Sequence, residues 1–403
     1  MPNTFNTSYR WVIVGALWLA HVIFFMNFSC LGVLAPYIKT DLSLSSAQIG
    51  LLFSAVSLGG CLGAIPAGLI VDRVGVRKIL PLGILAMSTT FAFLSATSLY
   101  WLFFLILLLM GVFSGATGPA ATKCVVGWFP LVGRATAMAV KQTGVNFGGI
   151  FAGIFIPYIL LSFAWRQSLL FVALLEAACA GIIYWLIQDP PVSSSAGSSS
   201  LDWKKFLSVL TDKKILNLGG MCFLFFSCQF SFSAYLTLFL TQEHQYSIAQ
   251  AGGMFALAYF TGAIARIFWG LISDYLWGGK RKGILLIIVI LELISLLLLA
   301  MSSFLPSLAI LAFLPIVVFG LSGIGWNAIY LTILGETAER ETIGMATAVG
   351  FSMGFLGSLI SPPLFGYLVD RTGLYGYGWL MLAFCAAVIL ILLSRIQEKA
   401  TPA

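Results

Sequence analysis

The sequence predicts an all-α membrane protein with twelve transmembrane helices in two pseudo-symmetric six-helix bundles. Three observations carry this. First, hydrophobic residues make up 60% of the 403 positions and charged residues 9%, with a mean hydropathy of +1.03. A soluble domain carries roughly a quarter charged residues, so this chain cannot dress its surface for water. Second, apolar runs long enough to cross a bilayer as helix, about 20 residues each, occur twelve times. Third, one short charged loop appears twice, half a chain apart.

The runs fall near 11–38, 46–71, 79–98, 101–129, 134–161, 166–187, 215–241, 248–275, 283–303, 307–335, 343–369 and 376–394. They are continuous, whereas strands of a membrane barrel would alternate apolar and polar residues, so helices are expected. The repeated loop reads Gly68-Leu-Ile-Val-Asp72-Arg73-Val-Gly75-Val-Arg77-Lys78 in its first copy. The second reads Gly270-Leu-Ile-Ser-Asp274, followed by Lys280-Arg281-Lys282, and the two aspartates lie 202 residues apart. Each copy ends one apolar run and opens the next. A duplicated hairpin of this kind implies two homologous halves able to rock against each other. Between them lies a segment containing Pro-Pro and Ser193-Ser-Ser-Ala-Gly-Ser-Ser-Ser200, whose composition gives flexible chain. The expected domains are an N-terminal bundle over 1–188, a cytoplasmic linker over 189–213 and a C-terminal bundle over 214–403.

With the N-terminus inside, fifteen lysines and arginines fall on inner segments, three on outer segments (Lys39, Arg166, Arg371) and three within spans (Lys123, Lys141, Arg266). The positive-inside rule then sets both termini in the cytoplasm of a cell membrane, expected to be a bacterial inner membrane. The net charge of +7 is therefore a topology signal, and no nucleic-acid partner is expected. Seven cysteines lie within spans without metal-ligand spacing and read as small packing residues. The first apolar run is too long for a cleavable signal and is expected to stay as the first helix. No cofactor is expected, and the chain is expected to act as a monomer.

On these residues the chain resembles the major facilitator superfamily over essentially its whole length. The loop around Asp72 is similar to that superfamily's signature loop between helices 2 and 3, and the loop around Asp274 is a looser copy. The resemblance implies gating roles for Asp72, Arg73, Arg77 and Asp274. Physically, a carboxylate at Asp72 can meet a helix N-terminus and nearby arginines and hold the cytoplasmic face closed. A third look-alike, Gly366-Tyr-Leu-Val-Asp370-Arg371-Thr-Gly373, ends the eleventh span on the outer side and is set apart from that gate. More finely, Gly111 to Pro130 resembles the matching stretch of the anion:cation symporter family. There an arginine that contacts the substrate carboxylate occupies the position of Lys123. Members also carry acids on helices 1 and 4 for proton coupling. This chain has none there, and Ser114 stands near the helix 4 position.

Cations within the spans are the candidates for binding, since a lysine or arginine at mid-membrane costs about 2.5–3.5 kcal/mol and normally faces a partner or water-filled cavity. Lys123 and Lys141 each lie roughly 10 Å from the inner end of consecutive spans and could bracket one anion, or snorkel to the interface. Arg266 could complete a carboxylate clamp with its planar fork, or pack beside the second loop. His21, near the midplane of the first span, is the natural proton carrier where no carboxylate is available, or a packing residue. Gln142, Asn146, Tyr235 and Asn327 are the leading neutral candidates, joined by Gln229, Tyr259, Trp326 and Tyr330. Glu176 and Glu292 are acids within spans, for which local pairing is the favoured expectation.

The leading functional expectation is a secondary carrier of a small organic anion, a carboxylate, working by alternating access with a proton or a counter-anion as its other partner. A carrier of small inorganic anions such as nitrate or cyanate is an alternative. Thr143 to Gly149 loosely resembles the helix 5 signature of nitrate carriers, but the eleventh span lacks a matching asparagine and the second lacks an arginine. A drug or metabolite exporter is a further alternative, weakened by the basic cavity residues and by the position of Pro157. An enzyme lacks support, because no ligand cluster, nucleophile elbow or phosphate loop joins the apolar runs.

Overall fold

A computed structural model describes residues 9–130, 133–190, 203–278, 280–305, 313–339 and 342–396, and among these residues every regular element is a helix. Twelve helical spans are long and apolar enough to cross a membrane. In chain order the helices are α1 (Tyr9–Asp41), α2 (Ser46–Val74), α3 (Val76–Ala96), α4 (Tyr100–Ser114), α5 (Thr117–Trp128), α6 (Arg134–Leu160) and α7 (Trp165–Leu186). They continue with α8 (Trp203–Thr211), α9 (Lys213–Gln242), α10 (Ile248–Leu271), α11 (Arg281–Phe304), α12 (Phe313–Phe319), α13 (Asn327–Thr337), α14 (Ile343–Thr372) and α15 (Tyr375–Ser394).

Local chemistry sets several of the ends. Asp212 caps α9 by accepting the Lys214 N–H at 2.7 Å. Ser247 and Gln250 form a capping box at the start of α10, satisfying N–H groups that a helix leaves unpaired at its first turn. Gly373, at φ 75°, closes α14 in the left-handed conformation that glycine adopts without penalty.

Two spans expected as continuous helix are broken. The fourth is α4 and α5, separated at Gly115 and Ala116; Pro119, which follows at once, has no N–H to carry a helical bond back across that break. The tenth is α12 and α13, joined through a π-helical stretch Gly320–Ile324. A second π-helical stretch, Ile272–Leu276, ends the eighth span. Apolar runs do not reveal such breaks, because backbone hydrogen bonding shifts register without changing composition.

Contacts divide the chain into two units. One comprises Met1–Leu34 and Ala55–Ser199, the other Ala35–Ser54 and Ser200–Ala403. In the first, α3 packs along α7; in the second, α11 packs along α15 and α9 along α14. The third and sixth spans of each set of six are thus paired in the same way. The hairpin joining α1 to α2 groups with the second unit, so each of those two helices contributes to both units. Each unit has its own apolar core, around Leu17, Val71, Ile84 and Val125 in the first and around Phe225, Trp326 and Val349 in the second. Large apolar side chains such as Trp101, Tyr158, Trp185 and Phe384 are exposed, as helices bathed in lipid require.

Candidate functional site: a buried lysine and histidine

In the first unit α1 and α6 touch backbone to backbone. A Cβ added at Gly144 would stand 2.5 Å from the Trp18 carbonyl oxygen and 3.0 Å from the His21 Cβ. One at Gly148 would stand 2.5 Å from the Val22 carbonyl oxygen. Only glycine allows that approach. It brings Lys141, on the same helix, against His21: the Lys141 Nζ lies 3.2 Å from the His21 Nε2. The histidine's other nitrogen, Nδ1, lies 2.8 Å from the Leu17 carbonyl oxygen. Both side chains are buried, His21 5% exposed and Lys141 6%. Trp18, one turn before His21, donates its indole N–H to Thr143 Oγ1 at 3.0 Å.

The other residues singled out from sequence sit in varied settings. Lys123, half-buried on α5, donates to the Val71 carbonyl at 3.1 Å. Gln142 is half-buried and Asn146 fully buried, both on α6 with Lys141. On α9, the buried Tyr235 hydroxyl donates to backbone carbonyls, Ser46 at 2.7 Å and Pro362 at 2.8 Å, so it fastens helices together. Gln229 Oε1 accepts the Trp326 indole N–H at 3.1 Å, and the Ser233 and Tyr259 hydroxyls share a hydrogen bond of 2.6 Å. Arg266 is half-buried on α10 with its Nε buried and without a hydrogen-bond partner. Asn327 opens α13, half-buried.

Of the signature-loop residues, the Asp72 side chain lies outside the described residues. Arg73 is exposed. Arg77 places its guanidinium 5.3 Å from the centre of the Tyr184 ring, and its backbone N–H donates to Asp189 Oδ1 at 3.1 Å. Asp189 therefore caps α3, next to Gly75 at φ 90°. In the second copy, Asp274 pairs with Arg281, whose Nε also lies 3.5 Å from Glu336.

Each of the two acids within spans lies beside one neighbouring side chain, Asn27 for Glu176 and Cys228 for Glu292. Glu176 and Glu292 are fully buried, and none of their four carboxylate oxygens has a hydrogen-bond partner.

Sequence reasoning set Asp370 aside, yet its carboxylate accepts the backbone N–H groups of Ser46 at 2.7 Å and Ala47 at 2.8 Å, at the start of α2. Lys39 donates to Ser46 Oγ at 2.8 Å and to Gln242 Oε1 at 3.3 Å. Glu243 accepts the Tyr375 N–H at 2.6 Å, and the Tyr375 hydroxyl donates to Gln242 at 2.8 Å. Two carboxylates thus sit on the N-termini of two helices, α2 and α15, where the helix dipole favours negative charge. Burial lifts Glu243 above the ordinary carboxylate range, although hydrogen bonds from Tyr375 and Ser303 oppose the shift. Burial likewise lowers the neighbouring His244.

Twelve membrane-crossing helices with a buried cation among them define a class: proteins that move solutes through a bilayer. The chain belongs to the Major Facilitator Superfamily, which matches residues 17–362, and is a multi-pass membrane protein and not an enzyme. Among curated relatives, a hexuronate transporter of Bacillus subtilis (strain 168) is 26% identical over 384 residues, covering 91% of this chain and 89% of its own. A probable galactarate/D-glucarate transporter of the same organism is 24% identical over 405 residues, with 92% and 88% covered. Among solved structures, a bacterial homologue of the human lysosomal transporter Spinster, inward-facing and unoccupied, aligns with TM-score 0.76 at 18% identity, covering 96% of each chain. The nucleoside transporter NupG aligns with TM-score 0.77 at 14% identity, covering 96% of this chain and all of its own. These structures share the fold.

Proposed function

We propose that the protein is a secondary carrier of a small organic anion of the sugar-acid type, binding the substrate carboxylate at Lys141 and working by alternating access. The observation that carries this reading is the state of Lys141. Among the described residues its ammonium has a single hydrogen-bond partner, the imidazole of His21, and no carboxylate. A cation in a span without a counter-charge costs about 2.5–3.5 kcal/mol, a cost that an arriving carboxylate offsets. The hexuronate and galactarate/D-glucarate carriers among the relatives make polyhydroxy acids the first substrates to try. Gln142 and Asn146, on the same helix as Lys141, are then the groups for hydroxyl contacts, and Lys123 is the second cation of that unit.

In this reading residues 1–188 and 214–403 are the two halves that exchange access, linked by 189–213, with both termini in the cytoplasm. Asp72, Arg73, Arg77 and Asp274 belong to the cytoplasmic gate. The protein works as a monomer.

The test is counterflow uptake of labelled D-glucuronate and D-glucarate into proteoliposomes preloaded with the same acid. A charge-assisted hydrogen bond contributes about 1.5–3 kcal/mol, so Lys141→Gln is expected to lower uptake roughly 10- to 100-fold, with Lys141→Arg losing less. Lys123→Ala measures the second lysine separately. Stabilisation of the purified protein only by cationic solutes, with no uptake of either acid, would overturn the anion reading.

A further inference from the structure

We propose that His21 and Lys141 form a co-binding site for one proton and one carboxylate, in which the anion replaces His21 as the partner of the lysine. This rests on the carboxylate reading above and deepens it. The argument begins with Leu17. A backbone carbonyl only accepts, so the His21 nitrogen 2.8 Å from the Leu17 oxygen carries a hydrogen, and in the neutral ring Nε2 then presents a lone pair. Lys141 donates to that lone pair across 3.2 Å. The empty pair therefore holds one positive charge and a neutral imidazole.

A proton entering the pair has one place to go, the Nε2 lone pair. Taking it breaks the Lys141–His21 hydrogen bond and sets an imidazolium against an ammonium inside a buried helix contact. Two adjacent cations are unfavourable there, and an anion alone would have to compete with the existing bond. Proton and monocarboxylate arriving together leave the pair at one net positive charge, as before, and give the released ammonium an anionic acceptor. Each ligand thus raises the affinity for the other, and the linkage is reciprocal.

Among the described residues the surroundings supply no other hydrogen-bond or ion-pair partner for either group. On α6 the facing charge is Lys141 itself. On α7 the nearest acid in sequence register is Glu176, which faces Asn27 and Cys30 farther along α1. On α5, Lys123 is bonded to Val71. The cations of the α2–α3 loop, Arg73 and Arg77, are exposed. Among the described residues no carboxylate hydrogen-bonds or ion-pairs with His21 or Lys141.

The chain has two histidines, His21 and His244, which makes the test clean. D-glucuronate binding to the purified full-length protein is followed by titration calorimetry in two buffers of different ionisation enthalpy, giving the protons taken up per anion bound. At pH 8 the wild type is expected to take up about one proton per anion, and its affinity to weaken about tenfold per pH unit above that. His21→Gln keeps an acceptor for Lys141 but does not titrate; it is expected to bind with no proton uptake and no pH dependence. His244→Gln is expected to behave as wild type, which isolates His21 even where His21→Gln folds poorly. Nitrogen NMR of ¹⁵N-histidine protein supplies a second readout: one ring in the Nδ1–H form without ligand, becoming doubly protonated with D-glucuronate. Binding by the wild type without proton uptake overturns the co-binding site alone, as does unchanged uptake in His21→Gln, which would move the proton to Glu176. Absence of any D-glucuronate binding overturns the sugar-acid reading as well.

Discussion

Asp370 and Ser46 are 324 positions apart in the chain, yet the Asp370 carboxylate spans the first two N–H groups of α2, Ser46 at 2.7 Å and Ala47 at 2.8 Å. Lys39 and the Tyr235 hydroxyl bind the same serine through its hydroxyl and its carbonyl. Three side chains from three helices therefore converge on one residue at a helix start. Loss of a helix cap costs about 1 kcal/mol, so Asp370→Ala is expected to speed amide hydrogen exchange at Ser46 and Ala47 by roughly fivefold. Unchanged exchange at both amides would show that the carboxylate does not hold the helix end.

Gly144 tests the seam that brings Lys141 to His21. A methyl group there meets the Trp18 carbonyl at 2.5 Å, and overpacking of this kind costs typically about 1–3 kcal/mol. Gly144→Ala is expected to lower the melting temperature and to weaken carboxylate binding together. Gly118, which has open space around it, is the matched control, and its alanine variant is expected to match the wild type in both.

Glu243 offers a pH dependence whose sign follows from burial. Its carboxyl is raised above the ordinary value of 4.5, so the folded protein binds the proton more tightly than the unfolded chain. The stability this contributes is complete below 4.5 and is lost as pH rises through the raised value. Glu243→Gln, a neutral side chain that still accepts the Tyr375 N–H, is expected to be at least as thermostable as wild type at pH 7.5. The difference should close as the pH is lowered toward 4.5, and a gap that widens instead would reverse the assignment.

Gln229 accepts the hydrogen bond of the fully buried Trp326 indole N–H. Stranding that N–H costs about 1–3 kcal/mol, so Gln229→Leu is expected to destabilise by that amount. Adding Trp326→Phe removes the stranded donor, and the double variant should be less destabilised than the sum of the two. Additive losses would mean that the bond contributes nothing.

The spans were legible because a bilayer demands continuous apolar sequence, and the two loop copies around Asp72 and Asp274 were legible as repeated text. What composition could not show is which way a side chain points on a helix that is apolar all round. The depths of His21 and Lys141 could be counted from sequence, but their contact, between residues 120 apart, depends on glycines at 144 and 148 whose role appears only when α1 lies against them. Tyr235 was read as a cavity residue, and its hydroxyl is instead committed to two backbone carbonyls. Asp370 was passed over because its partners are backbone N–H groups, which leave no mark in a sequence. The breaks at Gly115 and at 320–324 went unseen for a related reason, since rearranged backbone bonds need no change of hydropathy.

The glycine seam between α1 and α6 has one further consequence. With backbones already in contact, those helices have no room to slide or part without opening a void, so in the proposed carrier the lysine and histidine move as one body. A solute held by such a body meets the same chemistry whichever side it came from. In the proposed carrier the direction of net flow then belongs to the anion and proton gradients together, and reversing their sum reverses the flow.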